Sequence, residues 1–325
     1  MVCTMTVHPD IACIIVADVI VKSVDDYPKR GELKRVDSIT LHNGGNAMTA
    51  AVNLKKLGID TYMVGKIGND FFGKYLTECF NEYEIDTRGL KIDRNVQTSA
   101  SVALIDEKTG ERSFLHCAGS DAVFCIDDID FDIIEESDIV FLTGSFLLDT
   151  FDGMQTAEFL KRCKKMGKTT FLDVCWDAKG NWGKLLNMSM PYIDWFMPSI
   201  DEAVKISGET DTDRISEVFF ERGIKNVVIK MGSDGCFLRQ RNDLRGKKFP
   251  VVGGVTPIDT TGAGDSFCSG FLAAYAREQS PQECIRFANA AGAACVSAIG
   301  ATTGIKSYEQ IEKIMEDDKN AGYIK

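Results

Sequence analysis

Eleven cysteines occur without a single Cys-x-x-Cys pair, and there is no low-complexity tract, heptad run or clear internal repeat. An odd thiol count without metal-ligand spacing argues against a disulfide framework or a zinc site and fits reduced, buried cysteines in a cytosol. Positive charge is in short supply: 37 Lys and Arg stand against 48 Asp and Glu, a formal net charge of −11. A partner of nucleic acid or of an anionic membrane needs the opposite balance, so neither is expected. No Lys or Arg precedes Lys22, so the basic start of a secretory signal is missing. The apolar run 11–21 is too short to span a bilayer and carries Asp18. A cytoplasmic location is expected.

What remains is ordinary soluble-protein composition, 44% hydrophobic and 26% charged, enough for a large core. Apolar, β-rich runs at 11–21, 61–68, 138–144, 169–174, 195–198 and 226–232 read as strands. Helical patterns at 46–57, 72–83, 153–166, 215–222, 264–277 and 281–299 lie among them. Alternation of this kind predicts an α/β domain with a mostly parallel sheet covered by helices on both faces. Residues 95–116 break the rhythm and read as two strands joined by a turn at Lys108-Thr109-Gly110. With the stretch 19–40 they are expected to form a small antiparallel sheet, either a flap over a site or a plain edge hairpin.

The segment 257–267, PIDTTGAGDSF, turns into a helix whose apolar residues Phe267, Phe271, Leu272 and Tyr275 recur at helical spacing. Gly262, Ala263 and Gly264 therefore fall at a helix N-terminus, where backbone N–H groups lack internal partners and the dipole favours an anion. Asp265 in the same turn is either a favourable acidic residue at a helix start or a base for an attacking hydroxyl.

This stretch resembles the D-T-x-G-A-G-D signature of the PfkB or ribokinase family of small-molecule kinases, matched by Asp259-Thr260-Thr261-Gly262-Ala263-Gly264-Asp265. A second pattern of that family is similar to residues 44–73: Gly44-Gly45 opening a helix, Leu57-Gly58 closing it, then Gly65-Lys66-Ile67-Gly68-Asn69-Asp70 and Gly73. No G-x-x-x-x-G-K-[ST] occurs, which excludes a P-loop enzyme. The resemblance covers essentially the whole chain. It implies a single ribokinase-like domain, 1–325, of three αβα layers with a β-sheet lid from about 19–40 and 95–118.

The resemblance also implies residue roles. Asp18, Gly44, Gly45 and Asn46 would hold the acceptor, with the two oxygens of Asp18 matching a vicinal diol. Asp70 reads as part of this motif or as a turn and helix cap. Lys230, Gly232, Ser233 and Gly235 resemble the strand and turn over the ATP phosphates, although Lys230 also reads as a solvent-facing strand lysine. Asn289 falls where the family contacts adenine, or is an ordinary helix residue. Glu202 resembles the N-x-x-E glutamate that orders Mg²⁺ through water, with Ser199 in place of the asparagine. Asp259, the Thr261 carbonyl and the loop 298–304 resemble a K⁺ site, or are a plain glycine-rich loop. Val16 and Thr49 stand where the ribokinase branch carries asparagine, which weakens ribose as the specific substrate.

The function these residues point to is an ATP-dependent kinase acting on a sugar hydroxyl, with Asp265 as base and Gly262 to Gly264 as anion hole. A nucleoside is the rival acceptor, since its ribose offers the same diol and 5′-hydroxyl. A phosphorylated or acidic sugar needs a cationic clamp, for which Lys22 and Arg112 are candidates. A catalytically silent nucleotide- and sugar-binding relative is a third reading. A homodimer through the lid is expected.

Overall fold

The computed structural model describes residues 9–24, 26–106 and 112–318. The strands among them are β1 (Pro9–Cys13), β2 (Val16–Lys22), β3 (Ser38–Gly44), β4 (Tyr62–Gly68), β5 (Leu90–Asp93), β6 (Ala100–Ile105) and β7 (Arg112–Cys117). They continue as β8 (Ile139–Ser145), β9 (Thr169–Val174), β10 (Trp195–Phe196), β11 (Asn226–Lys230), β12 (Cys236–Gln240) and β13 (Lys247–Phe249). Nine strands form the main sheet in the order β13-β12-β11-β10-β9-β8-β1-β4-β5. It is parallel from β11 to β5 and antiparallel only at β12 and β13.

Every residue of β8 is buried, as its unbroken run IVFLTGS requires of a strand covered on both faces. The two covering layers show at β10, where neighbouring side chains point to opposite faces. Trp195 packs on Phe271 and Tyr275 of the Ala263–Tyr275 helix, at 5.0 and 5.8 Å between ring centres. Phe196 packs instead on Phe219 of the Thr212–Glu221 helix, at 5.1 Å. The strand order runs outward in opposite directions from the β1–β8 pair. At such a switch point the connections diverge and leave a crevice beyond the carboxyl ends of the strands.

The run 11–21 is two strands in two sheets rather than one. The chain leaves the main sheet at Ile14-Ile15 and enters a second sheet of order β3-β2-β6-β7. Ile14, Ile15 and Val16 are all buried, so the apolar pattern continues across the break and periodicity carries no sign of it. The second sheet is mixed rather than antiparallel: β2–β3 and β6–β7 are antiparallel, but β2 and β6 are parallel. The long excursion through β4 and β5 returns the chain in the same direction, as a parallel pair requires. The expected turn at 108–110 lies outside the described residues.

Helix bounds agree with expectation to within a few residues. Ser280 caps the Pro281–Val296 helix through a reciprocal capping box with Glu283. The Ile200–Ser207 helix and strands β5, β12 and β13 were not expected from the sequence.

Candidate active site

The Ala263–Tyr275 helix starts from Gly262 at φ 72°, with no side chain capping its end. That left-handed turn suits glycine, and an added Cβ there would collide with Ala301. Of the three amides expected to form a cradle, that of Ala263 makes a long internal bond, 3.3 Å to the Thr260 carbonyl. At Gly264 a Cβ would stand 3.6 Å from Lys230 Nζ, so the lysine ammonium lies beside the same helical turn.

Asp265 follows in this first turn. The Asn46 amide donates to its Oδ1 at 2.7 Å. Asn46 is delivered by the turn at Gly45, φ 86°, where any side chain would strike the Ile14 carbonyl. Burial pushes the Asp265 carboxyl up to about 7, against the Asn46 bond, and the charges of Asp173 and Glu202 add to the rise while Lys230 opposes it. Lys230, at the end of β11, pairs with Asp173 at the end of β9, Nζ to Oδ2 2.7 Å, with both side chains largely buried. Burial works against the Lys230 charge, but Asp173, Cys268 and Glu202 outweigh it and keep the ammonium protonated. Lys230 is thus not a solvent-facing strand lysine.

Glu202 closes a capping box on its own helix, accepting from the Ser199 amide at 2.7 Å. Its carboxyl is raised by burial and by Asp173. Asp70 caps the Phe71–Glu82 helix, accepting from Gly73 at 2.8 Å and from the Thr98 amide at 2.7 Å. The cap reading holds for it.

A cavity of about 660 Å³ lies between the second sheet and the main body. Asp18, Gly44, Gly45, Asn46, Thr49 and Asp265 all line it. Asp18 lies inside β2, paired in register with His42 of β3 and Ser101 of β6. Only glycine fits at 44, because an added Cβ would overlap the Asp18 carboxylate. Burial raises the Asp18 carboxyl to about 6 against a hydrogen bond from Ser101. Lys22 lines the same cavity, whereas the Arg112 side chain lies outside the described residues.

A second cavity, of about 500 Å³, is lined by Lys230, Gly232, Ser233, Gly235 and Asn289, with Ala263 and Gly264 at its inner edge. Its other walls are apolar, among them Val251, Val255, Phe267 and Val296. The Asn289 amide donates to the Pro250 carbonyl at 3.0 Å, tying its helix to that wall. The two cavities meet on one helical turn: Gly262 and Asp265 face the first, Ala263 and Gly264 the second.

Asp259 organises the loop beneath this turn. Its Oδ1 accepts from the Thr261 amide at 2.9 Å and its Oδ2 from the Gly300 amide at 3.0 Å. Among the described residues no three His, Cys, Asp or Glu side chains gather as a metal site. The sequence reading missed Asp173, although a carboxylate closing the apolar strand TTFLDV was its available signal.

A carboxylate-bearing helix start lies where an acid-lined cavity meets an apolar cleft, an arrangement suited to phosphoryl transfer onto an alcohol. Residues 11–307 match the pfkB family of carbohydrate kinases, and the chain belongs to that family. It is 29% identical to a ribokinase of Arabidopsis thaliana over 317 residues, 92% of this chain and 79% of the relative. It is 26% identical to the aminoimidazole riboside kinase of Salmonella typhimurium over 283 residues, 84% and 87% of the two chains. The structure of the Arabidopsis thaliana ribokinase complexed with ribose and ATP superposes with a TM-score of 0.83 at 25% identity, covering 96% of this chain and 99% of that one.

Proposed function

We propose that this chain is an ATP-dependent kinase that phosphorylates a hydroxyl of a neutral sugar, working as one kinase unit with the four-stranded sheet as its lid. The observation that carries this is the placement of Asp265, with its raised carboxyl, on the turn where the two cavities meet. The apolar walls of the second cavity suit an adenine, and a Cβ at Gly232 would meet nothing, so its backbone stands open to phosphates. Glu202 and Asp173 supply the hard oxygen ligands, direct or through water, that Mg²⁺ takes. MgATP, when bound, supplies the phosphoryl group.

The residues then act as follows. Asp18 accepts from two hydroxyls of the acceptor, and Asn46 fixes both the acceptor and the Asp265 carboxylate. Asp265 removes the proton of the reacting hydroxyl. The amides at Gly262 to Gly264 and the Lys230 ammonium offset the charge that develops during transfer. Closure of the lid excludes water. Asp259 and the Thr261 carbonyl, with the loop at Gly300, are the elements for a K⁺ ion that steadies this turn.

Because Asp265 acts as a base with a carboxyl near 7, kcat should fall about tenfold per pH unit below that inflection and level off above it. A pH–rate profile at saturating substrates checks this; a flat profile down to pH 5 counts against it.

A nucleoside acceptor is favoured by one feature. Ile20, Ala103 and Phe114 form an apolar row across the lid, facing Ile258 and Ile299 at the cavity wall. Phe114, Ile258 and Ile299 are 60%, 65% and 67% exposed, apolar area that a base or other aglycone would cover. ADP release from MgATP should be measured across ribose, fructose, adenosine and acidic sugars, with K⁺ or choline as the cation. Turnover with ribose or fructose but not with acidic sugars supports the proposal, and turnover with adenosine alone favours the nucleoside reading. Nucleotide and sugar binding without turnover supports a silent relative instead.

The lid also offers a surface to a second copy. Its outer face carries Leu41, Val19, Val102 and Leu115 in one row, and Ile39 in the next, with Ile39 and Leu115 67% and 65% exposed. A dimer through this face should sediment as a monomer once Leu115→Asp is introduced. A wild-type monomer refutes this assembly.

A further inference from the structure

The side-chain amide of Asn46 is held at both of its ends. Its Nδ2 donates to Asp265 Oδ1 at 2.7 Å, and its Oδ1 accepts from the Cys175 thiol, with Sγ at 3.3 Å. Cys175 follows directly on β9, and its backbone amide donates to the Ser145 carbonyl at the end of β8, 2.9 Å away. The thiol is therefore carried by the carboxyl edge of the main sheet. Asn46 comes from the other side, at the start of the Asn46–Lys56 helix behind the Gly45 turn.

An asparagine amide has two hydrogens on its nitrogen and two lone pairs on its oxygen, and the two ends differ little in shape. Which end faces which neighbour is decided by the hydrogens of the neighbours. An ionised Asp265 can only accept, so it takes the nitrogen end. Once it has received the proton of the reacting hydroxyl it can also donate, and its preference for that end is lost. The Cys175 thiol does not change during transfer. A thiol at its ordinary pKa carries its hydrogen at neutral pH, and sulfur is a weak acceptor. It therefore favours the oxygen end of Asn46 both before and after the proton moves.

We propose that Cys175 is a positioning residue for phosphoryl transfer, whose thiol locks the Asn46 amide with its nitrogen on Asp265 Oδ1 and so leaves Oδ2 as the single atom of the base. The inference rests on the reading of Asp265 as that base. The proton passes from the hydroxyl to Oδ2, and its electron pair stays on the attacking oxygen. Cys175 is not among the described lining of either cavity, so it acts through Asn46 and not on acceptor or nucleotide. One N–H and one lone pair of the Asn46 amide are then free to orient the acceptor.

Two experiments test this, the first without any substrate. The S–H stretch of Cys175 is isolated in the infrared as the difference between the unmodified protein and Cys175→Ala. It should lie at the hydrogen-bonded end of the thiol range. The same difference taken in an Asn46→Ala background should show a free thiol, and an unchanged band overturns the proposal. In the second, single-turnover transfer is followed with MgATP and the acceptor found to turn over. Cys175→Ala and Cys175→Val should each slow transfer about five- to tenfold, the worth of one hydrogen bond, with ATP affinity within about twofold. Cys175→Ser keeps a donor and should stay within about twofold of the unmodified rate. In the Asn46→Ala background Cys175→Ala should cost nothing further, because both act through one amide. Serine no better than alanine, additive losses, or an alanine variant as fast as the unmodified protein each refute the role. Asp265→Asn separates the levels. If it keeps its turnover, the base and this inference fall together; if it loses turnover while the Cys175 variants keep theirs, only this inference falls.

Discussion

Replacing Asp265 by Asn is expected to lower kcat about 10³-fold, within the range lost with a general base, while nucleotide and acceptor binding stay near their original strength. The geometry makes this substitution clean. The Asn46 amide that now bonds Oδ1 at 2.7 Å can bond the carbonyl oxygen of an asparagine in the same place. The helix start needs no side-chain cap, so nothing structural is withdrawn. Single-turnover phosphoryl transfer, measured beside equilibrium binding of ATP, separates chemistry from affinity. Turnover within tenfold of the unmodified enzyme would falsify the base assignment. The acid limb near pH 7 should also vanish, because its titrating group has been removed.

Lys230→Met should be the most damaging change to stability among the site residues. It leaves the Asp173 carboxylate buried without its cation, which costs about 3–5 kcal/mol. Asp173 keeps the Val174 amide at 2.9 Å, which softens but does not replace the lost charge. The Asp265 inflection should rise, since Lys230 is a charge that holds it down. The double variant Lys230→Met/Asp173→Leu removes both charges and should recover most of the lost stability, yet not nucleotide binding. Urea denaturation and ATP titration of the single and double variants give the two readouts. A single variant as stable as the original shows that the pair is wetter than its burial implies.

The parts of this site that could be read from the sequence are those that a few adjacent residues dictate. A glycine pair before a helix and a glycine-alanine-glycine turn before an aspartate have one local geometry, and the structure places Gly44-Gly45 and Gly262 to Gly264 around a single junction. The strand break at Ile14-Ile15 was invisible because burial continues through it, so the run 11–21 that carries Asp18 read as one strand where the structure has two. The Lys230–Asp173 pair spans 57 residues of chain and follows from β9 and β11 flanking β10, which no local pattern encodes. At Glu202 the signal was present but read otherwise: Ser199-Ile200-Asp201-Glu202 is a capping box, which accounts locally for the serine in the family's asparagine position.

The junction of the two cavities divides the chain as well as the space. The described lining of the first cavity comes from residues 18–114, with the loop and helix start at 258–265 and the loop 299–303, and that of the second from 230–296. Only the turn at 260–265 touches both. Under the proposed function, substrate choice is encoded mainly in the first third of the sequence, and phosphate handling in the last third together with Asp173 and Glu202. Exchange of β2, β3, β6 and β7 between relatives would change what is phosphorylated while leaving how it is phosphorylated intact, a separation by which one reaction centre can be inherited with many different acceptors.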